Sequence, residues 1–168
     1  MTKNRNNIPP DYLYRNGVGI MIINKEKKVF VGKRIDNKDN FNEAWQMPQG
    51  GIDLGEDEEL AMFRELKEET GIEKKDVEII HKLPKYQYYN LPKLLQKRLW
   101  GGRYLGQKQR WFLLQFKADD SFINIKTENP EFIDWKWVRE EELINLIVGF
   151  KRELYGEIVK GFRKFLVK

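Results

Sequence analysis

Residues 64 to 71 read RELKEETG, and three carboxylates in this octet stand at helical neighbour spacing. On a helix of about 100° per residue, Glu65, Glu68 and Glu69 share about 100° of arc. Like charges at these spacings cost a helix roughly 0.2–0.5 kcal/mol per pair, so helix formation alone gives no reason for the stripe. One reading is a solvated acidic face. The other is a site for a hard divalent cation: Mg2+ takes carboxylate oxygens, keeps several waters and binds substrate phosphates. The repulsion then becomes favourable. Metal on a polyphosphate neutralises developing charge, activates a bound water and holds the attacking and leaving oxygens in line. Arg64, four residues before Glu68, stands where it can orient that carboxylate.

The stripe is useful only if its helix is held at one rotation. EDEELAMFRELKEET is helical in pattern, and Gly71 is placed to end it. Leu60, Phe63 and Leu66 lie on the side away from the carboxylates and are expected to anchor the helix to the core. Upstream, VGIMIIN and VFVGKR read as a hairpin. A polar loop, IDNKDNFNE, leads to AWQMPQGG, where Pro48, Gly50 and Gly51 end extended structure. The two glycines leave room for backbone to approach an ion or phosphate. VEIIHKL, RWFLLQFK and FIDWKWV read as strands. Ile147, Phe150, Leu154, Ile158, Val159, Phe162 and Phe165 predict a final amphipathic helix. His81, the sole histidine, falls in a strand and reads as structural. The pattern implies an α/β domain, a sheet packed between helices, with no repeat or linker to divide residues 1–168.

Composition excludes other classes. With 40% hydrophobic residues in 168, the chain can bury a core. No apolar run approaches membrane-spanning length, and the basic start lacks the apolar core of a secretory signal. The absence of cysteine excludes disulfides and Cys-bound zinc, and makes the cytoplasm the expected location. Between Ile79 and Ala118 there is no Asp or Glu; lysines and arginines alternate with Tyr86, Tyr88, Tyr89, Trp100, Tyr104 and Trp111. Cations interleaved with rings suit a polyphosphate or nucleic acid, or else form a basic surface over an aromatic core.

Residues 50 to 72, GGIDLGEDEELAMFRELKEETGI, fill every fixed position of the Nudix box, and the chain resembles that family. The resemblance implies a Nudix-type α/β/α sandwich with a mixed sheet, and hydrolysis of phosphoanhydrides with Mg2+ or Mn2+. It makes Glu65 and Glu69 the principal metal ligands, Glu68 a third ligand or the general base, and the Gly50 carbonyl a further donor.

Stretches outside the box, including AWQMPQGGID, YNLPK, GQKQRWFLLQF and PEFIDWKWV, resemble the bacterial RNA pyrophosphohydrolases and the related dinucleoside polyphosphate hydrolases. By that likeness Glu131 approaches the metals, and Arg15, Arg34, Val148, Phe150 and Lys151 contact the RNA 5′ end. Phe150 also fits the apolar face of the last helix. Tyr89 and Gln107 line the polyphosphate channel. The sequence departs from the subgroup at Asn16 and Gly17, where many members have proline after the arginine, and in a longer loop between Arg34 and Trp45. The expected partner is 5′-triphosphorylated RNA, or alternatively a diadenosine polyphosphate. A noncatalytic nucleotide- or RNA-binding module would have lost its carboxylates, and all three are present. Nothing in the sequence points to a protein partner.

Overall fold

The computed structural model describes residues 9–35 and 44–167. A 3-10 turn, Asp11–Leu13, leads into β1 (Tyr14–Ile23), which returns through a tight turn as β2 (Val29–Arg34). Two short strands, β3 (Trp45–Gln46) and β4 (Gln49–Gly51), flank Pro48 and precede α1 (Glu58–Thr70). Then come β5 (Val77–Lys82), β6 (Gln87–Asn90), α2 (Lys93–Arg98), β7 (Gly106–Phe116), β8 (Phe132–Val138), α3 (Leu143–Leu146) and α4 (Arg152–Leu166).

The sheet is mixed. β1 and β7 run parallel at its centre, in register from Tyr14 opposite Gly106 to Ile23 opposite Gln115. The other pairings, β1 with β2 and β4, β2 with β3 and β8, and β7 with β5 and β6, are antiparallel. Alternate residues of the central strands serve two cores. Val18, Ile20, Ile22, Phe112 and Leu114 meet Ala61, Met62 and Leu66 of α1. Met21, Ile23, Trp111 and Leu113 meet Leu154, Ile158 and Phe162 of α4. A sheet covered on both faces needs apolar side chains at successive positions; that is why VGIMII reads as an unbroken run. The expected sheet between helices is borne out.

Helix α1 starts at Glu58. Asp57 caps it by accepting from the N–H of Glu59 at 3.0 Å, and Gly71 ends it at φ 72°. Its buried side is Ala61, Met62, Leu66, Glu69 and Thr70. Leu60, expected in the core, is 63% exposed. The helix is rotated so that Glu69 faces inward with Leu66, and this turns Leu60 out beyond the sheet. Phe63 is half-buried against the α1-side core. The final helix begins later than its apolar spacing suggests. Ile147 is extended, and Gly149–Lys151 forms a separate 3-10 turn before Arg152. Side-chain spacing carried across this break, but Gly149 and the extended Val148 interrupt the backbone.

His81 lies on β5 beside the rings of Phe162 and Phe165, with centroids 6.2 and 4.9 Å away. The basic, aromatic segment divides: Trp111 is core, while Tyr86 lies beneath Lys108 and Arg110 at 4.2 and 3.8 Å. The short β6 and α2 within it carry no periodic signal in the sequence. Among the described residues no helix is long and apolar enough to cross a membrane. The longer-loop reading falls mostly on residues 36–43, outside the described residues.

Candidate active site

The three α1 carboxylates straddle the boundary between core and solvent. Glu69 is only 4% exposed, and its Oε2 accepts from the backbone N–H of Gln49 at 3.2 Å. Glu65 is mostly buried and Glu68 largely open, with side-chain exposures of 12% and 55%. Glu65 rests on bare backbone: a Cβ on Gly50 would lie 2.0 Å from its carboxyl carbon. Burial, then repulsion from Glu65 and Glu131, holds Glu69 well above the usual carboxylate range. Burial also pushes Glu65 up to about 7, against the pull of Arg64, with Glu68 and Glu131 adding repulsion. Negative charge is concentrated here without enough positive charge to balance it.

Arg64 stands behind this group. Its Nε donates to Glu56 Oε2 and its Nη2 to Glu56 Oε1, both at 2.8 Å. Nη2 also reaches the Gly51 carbonyl at 2.8 Å, and Nη1 reaches Glu65 Oε1 at 2.9 Å. The expected Glu68 contact is present at 3.3 Å, but it is weaker than these. Glu56 is the main partner, and the sequence reading assigned it no role. The two residues are eight positions apart, one in a loop and one on the helix, so no periodicity links them. Only the fixed position of Glu56 in the box could have marked it.

In front of α1 is a cavity of about 490 Å³, and in it the folded chain gathers Gly50, Glu65, Glu68, Glu69 and Glu131 with Arg15, Arg34, Tyr89, Gln107, Phe150 and Lys151. The sheet makes part of this assembly: Arg15 on β1 is opposite Gln107 on β7, which is opposite Tyr89 on β6. Arg15 lies 5.2 Å from the centre of the Trp100 ring, and a Cβ on Gly51 would come within 2.3 Å of its guanidinium. Lys151 is 97% buried, with Nζ 4.8 Å from the centre of the Tyr89 ring. Burial, then the nearby Arg34, pushes it down to about 7, against the attraction of Glu69. Burial pushes Tyr89 up to about 12. Phe150 lines the cavity and packs on the α4-side core, from the 3-10 turn that precedes α4 and not from the helix itself. Val148 does not line the cavity; it packs on that same core, because its extended backbone turns the chain before the 3-10 turn.

The sequence reading missed Gln49, Trp100 and an apolar wall of Leu91, Leu95 and Leu99. Trp100 was visible as one ring among several. Its aim depends on a left-handed backbone at φ 51°, followed by Gly101 and Gly102 at 68° and 73°. Such a conformation is unusual for a bulky residue, and no local pattern announces it.

Among the described residues no three Asp, Glu, His or Cys side chains are grouped closely enough to hold a metal ion as they stand. The donor set nevertheless fits a hard divalent cation. It is all oxygen and mutually repelling, and the bare backbone of Gly50 leaves room for the Glu65 carboxylate beside it.

Comparisons with known proteins agree with this geometry. A NUDIX domain model matches residues 13–158. The chain is 47% identical to the RNA pyrophosphohydrolase of Pelagibacter ubique over 99% of both chains. It is 50% identical to that of Erythrobacter litoralis over 93% of this chain and 94% of the relative. In fold it is similar to the E. coli dihydroneopterin triphosphate pyrophosphohydrolase, with a TM-score of 0.67 and 20% identity over 88% of this chain and 98% of that one. A C. elegans Ap4A hydrolase in a binary complex gives a TM-score of 0.59 and 22% identity over 89% and 94%. With the box on α1, the mixed sheet between helices and the family match over most of its length, this chain belongs to the Nudix family.

Proposed function

We propose that this single-domain chain, acting in the cytoplasm, removes pyrophosphate from the 5′-triphosphate end of RNA and leaves a 5′-monophosphate. The observation that carries the reading is that one cavity is lined by both repelling carboxylates and basic side chains. Repelling carboxylates on α1 and Glu131 line it together with Arg15, Arg34 and Lys151. That layout complements a polyphosphate bound with divalent cations. The name shared by the relatives at 47–50% identity supports RNA as the substrate.

Glu65, Glu69 and the Gly50 carbonyl would hold Mg2+ or Mn2+, with Glu131 approaching from its loop. The bound ion would neutralise charge on the phosphates and lower the pKa of a coordinated water. Glu68, the carboxylate that reaches solvent, takes the proton of the attacking water. The water oxygen bonds to phosphorus as the anhydride P–O bond breaks, and pyrophosphate leaves with the bonding electrons. Arg64 keeps Glu65 and Glu68 in place while Arg15, Arg34 and Lys151 meet phosphate oxygens. Phe150 offers a ring for a base to stack on.

A second reading is hydrolysis of a dinucleoside polyphosphate. It is favoured by the number of rings near the cavity, because Tyr89, Trp100 and Phe150 suffice for two nucleosides. Comparing kcat/KM with Mg2+ for a short 5′-triphosphate RNA and for diadenosine pentaphosphate decides between them. Higher kcat/KM on the RNA supports the first reading, and a clear preference for the dinucleotide replaces it with the second. Inactivity on both, with metal bound, leaves a noncatalytic binding module.

A further inference from the structure

Gln109 is fully buried beneath the cavity floor, and its side-chain amide is engaged at both ends. Oε1 accepts from the Trp111 indole N–H at 2.9 Å. Nε2 donates to Gln107 Oε1 at 2.6 Å and to Gln49 Oε1 at 2.9 Å. Gln107 Oε1 also accepts from the Tyr89 hydroxyl at 3.4 Å.

The oxygen and nitrogen of an amide have nearly the same shape, so hydrogen-bond partners decide which way each one points. Here one end of the chain allows no choice, because an indole N–H donates and never accepts. Trp111 is itself fully buried, its ring edge-on to Tyr155 at 6.1 Å. Gln109 must therefore turn its oxygen to Trp111 and its NH2 to Gln107 and Gln49. Those two must turn their oxygens to Gln109, which sends their own NH2 groups the other way. Both residues line the cavity.

We propose that Trp111 and Gln109 set the polarity of Gln107 and Gln49, so that the cavity floor presents amide N–H donors to the phosphate oxygens of a substrate. The inference rests on the polyphosphate reading above. Phosphate oxygens only accept, so a floor of N–H groups attracts the substrate, and the same glutamines flipped would oppose it with carbonyl oxygens. Gln107 and Gln49 touch the substrate; Gln109 and Trp111 are positioning residues, one layer below.

The test is an isosteric reversal. Gln109→Glu keeps the shape and removes both donors, so Gln107 and Gln49 turn their NH2 groups inward and their carbonyls to the cavity. Gln109→Leu removes the partner without imposing either orientation. Kinetics with Mg2+ on 5′-triphosphate RNA and diadenosine pentaphosphate should show KM raised about tenfold in the Glu variant and about threefold in the Leu variant, given what hydrogen bonds to charged groups are worth. Partial unfolding lowers apparent kcat but leaves KM, so KM separates positioning from loss of structure. An unchanged KM in Gln109→Glu, or a Leu effect as large as the Glu effect, overturns the proposal.

If Gln109→Glu does not fold, Trp111→Phe removes the orienting donor together with part of a buried ring, and KM again separates the two effects. A raised KM then supports the proposal and an unchanged one overturns it. If the wild type hydrolyses neither substrate, the functional reading fails separately. Calorimetric binding of inorganic tripolyphosphate then decides the polarity question: weaker binding by Gln109→Glu supports it, and equal binding overturns it.

Discussion

The Arg64 guanidinium grips the Glu56 carboxylate through two 2.8 Å hydrogen bonds, and its remaining edges reach the Gly51 carbonyl and Glu65. One side chain thus ties the loop before α1, the end of β4 and a cavity-lining carboxylate of α1 into a single unit. A planar fork makes all of these contacts at once, and an ammonium group cannot. Arg64→Lys should lower kcat/KM by about 10–100-fold, the range for loss of an outer partner at a metal site, while the melting temperature falls by only a few degrees, on the order of 1 kcal/mol of stability. Kinetics and thermal melts on the same preparation check this.

The same pair sets an acid limit on stability. The Arg64 hydrogen bonds, then the Asp53 N–H, hold Glu56 down to about 2 from an ordinary 4.5. Its folded-state pKa is depressed, so its contribution is full above pH 4.5 and is lost as pH falls toward 2. Glu56→Gln should cost about 1–3 kcal/mol at neutral pH. It should also flatten this part of the pH dependence between pH 4.5 and 2, as read by urea unfolding at several pH values.

Glu69 should trade stability for activity. Its carboxylate is buried, repelled by Glu65 and Glu131, and raised well above the usual range. A group with a raised folded pKa withdraws stability as pH climbs above its unfolded value. Glu69→Gln removes that charge, so in chelator at pH 7 it should gain about 0.5–2 kcal/mol, as relief of functional-site strain does elsewhere. Turnover should fall by more than about a hundredfold, beyond the loss of an outer-shell partner. Melting curves in chelator and activity with Mg2+ test the two halves independently.

The two box glycines should fail in different ways. A Cβ at Gly50 would meet the Glu65 carboxylate at 2.0 Å, and one at Gly51 would meet the Arg15 guanidinium at 2.3 Å. Gly50→Ala should therefore act mainly on kcat, and Gly51→Ala mainly on KM. Displacing a catalytic group by about 1 Å can cost as much as roughly a hundredfold. Steady-state kinetics of the two variants side by side would refute this separation if both moved the same constant.

Trp100 holds Arg15 at 5.2 Å from its ring centre. Cation–π contacts are worth about 0.5–2 kcal/mol, so Trp100→Ala should raise KM by about 2–30-fold. Trp100→Phe should restore part of the loss. In an Arg15→Ala background the same change should have little further effect, and a double-mutant cycle on KM measures that coupling.

The sequence by itself determined the chemistry and the layers. The spacing of Glu65, Glu68 and Glu69 put three carboxylates on one helix, and the uninterrupted VGIMII run required a sheet covered on both faces. These properties are local, because helical geometry and strand alternation act over a few residues. Only the tertiary structure decided how α1 is rotated. Once Glu69 turned inward with Leu66, Leu60 was left in solvent, a result no single-helix pattern contains. It also decided which distant groups meet: Glu56 with Arg64 across a loop, Trp100 with Arg15 through a left-handed turn, and Trp111 with the glutamines above it. Each of those contacts is formed by chain segments brought together on folding, and their geometry follows from packing and strand register rather than from sequence spacing.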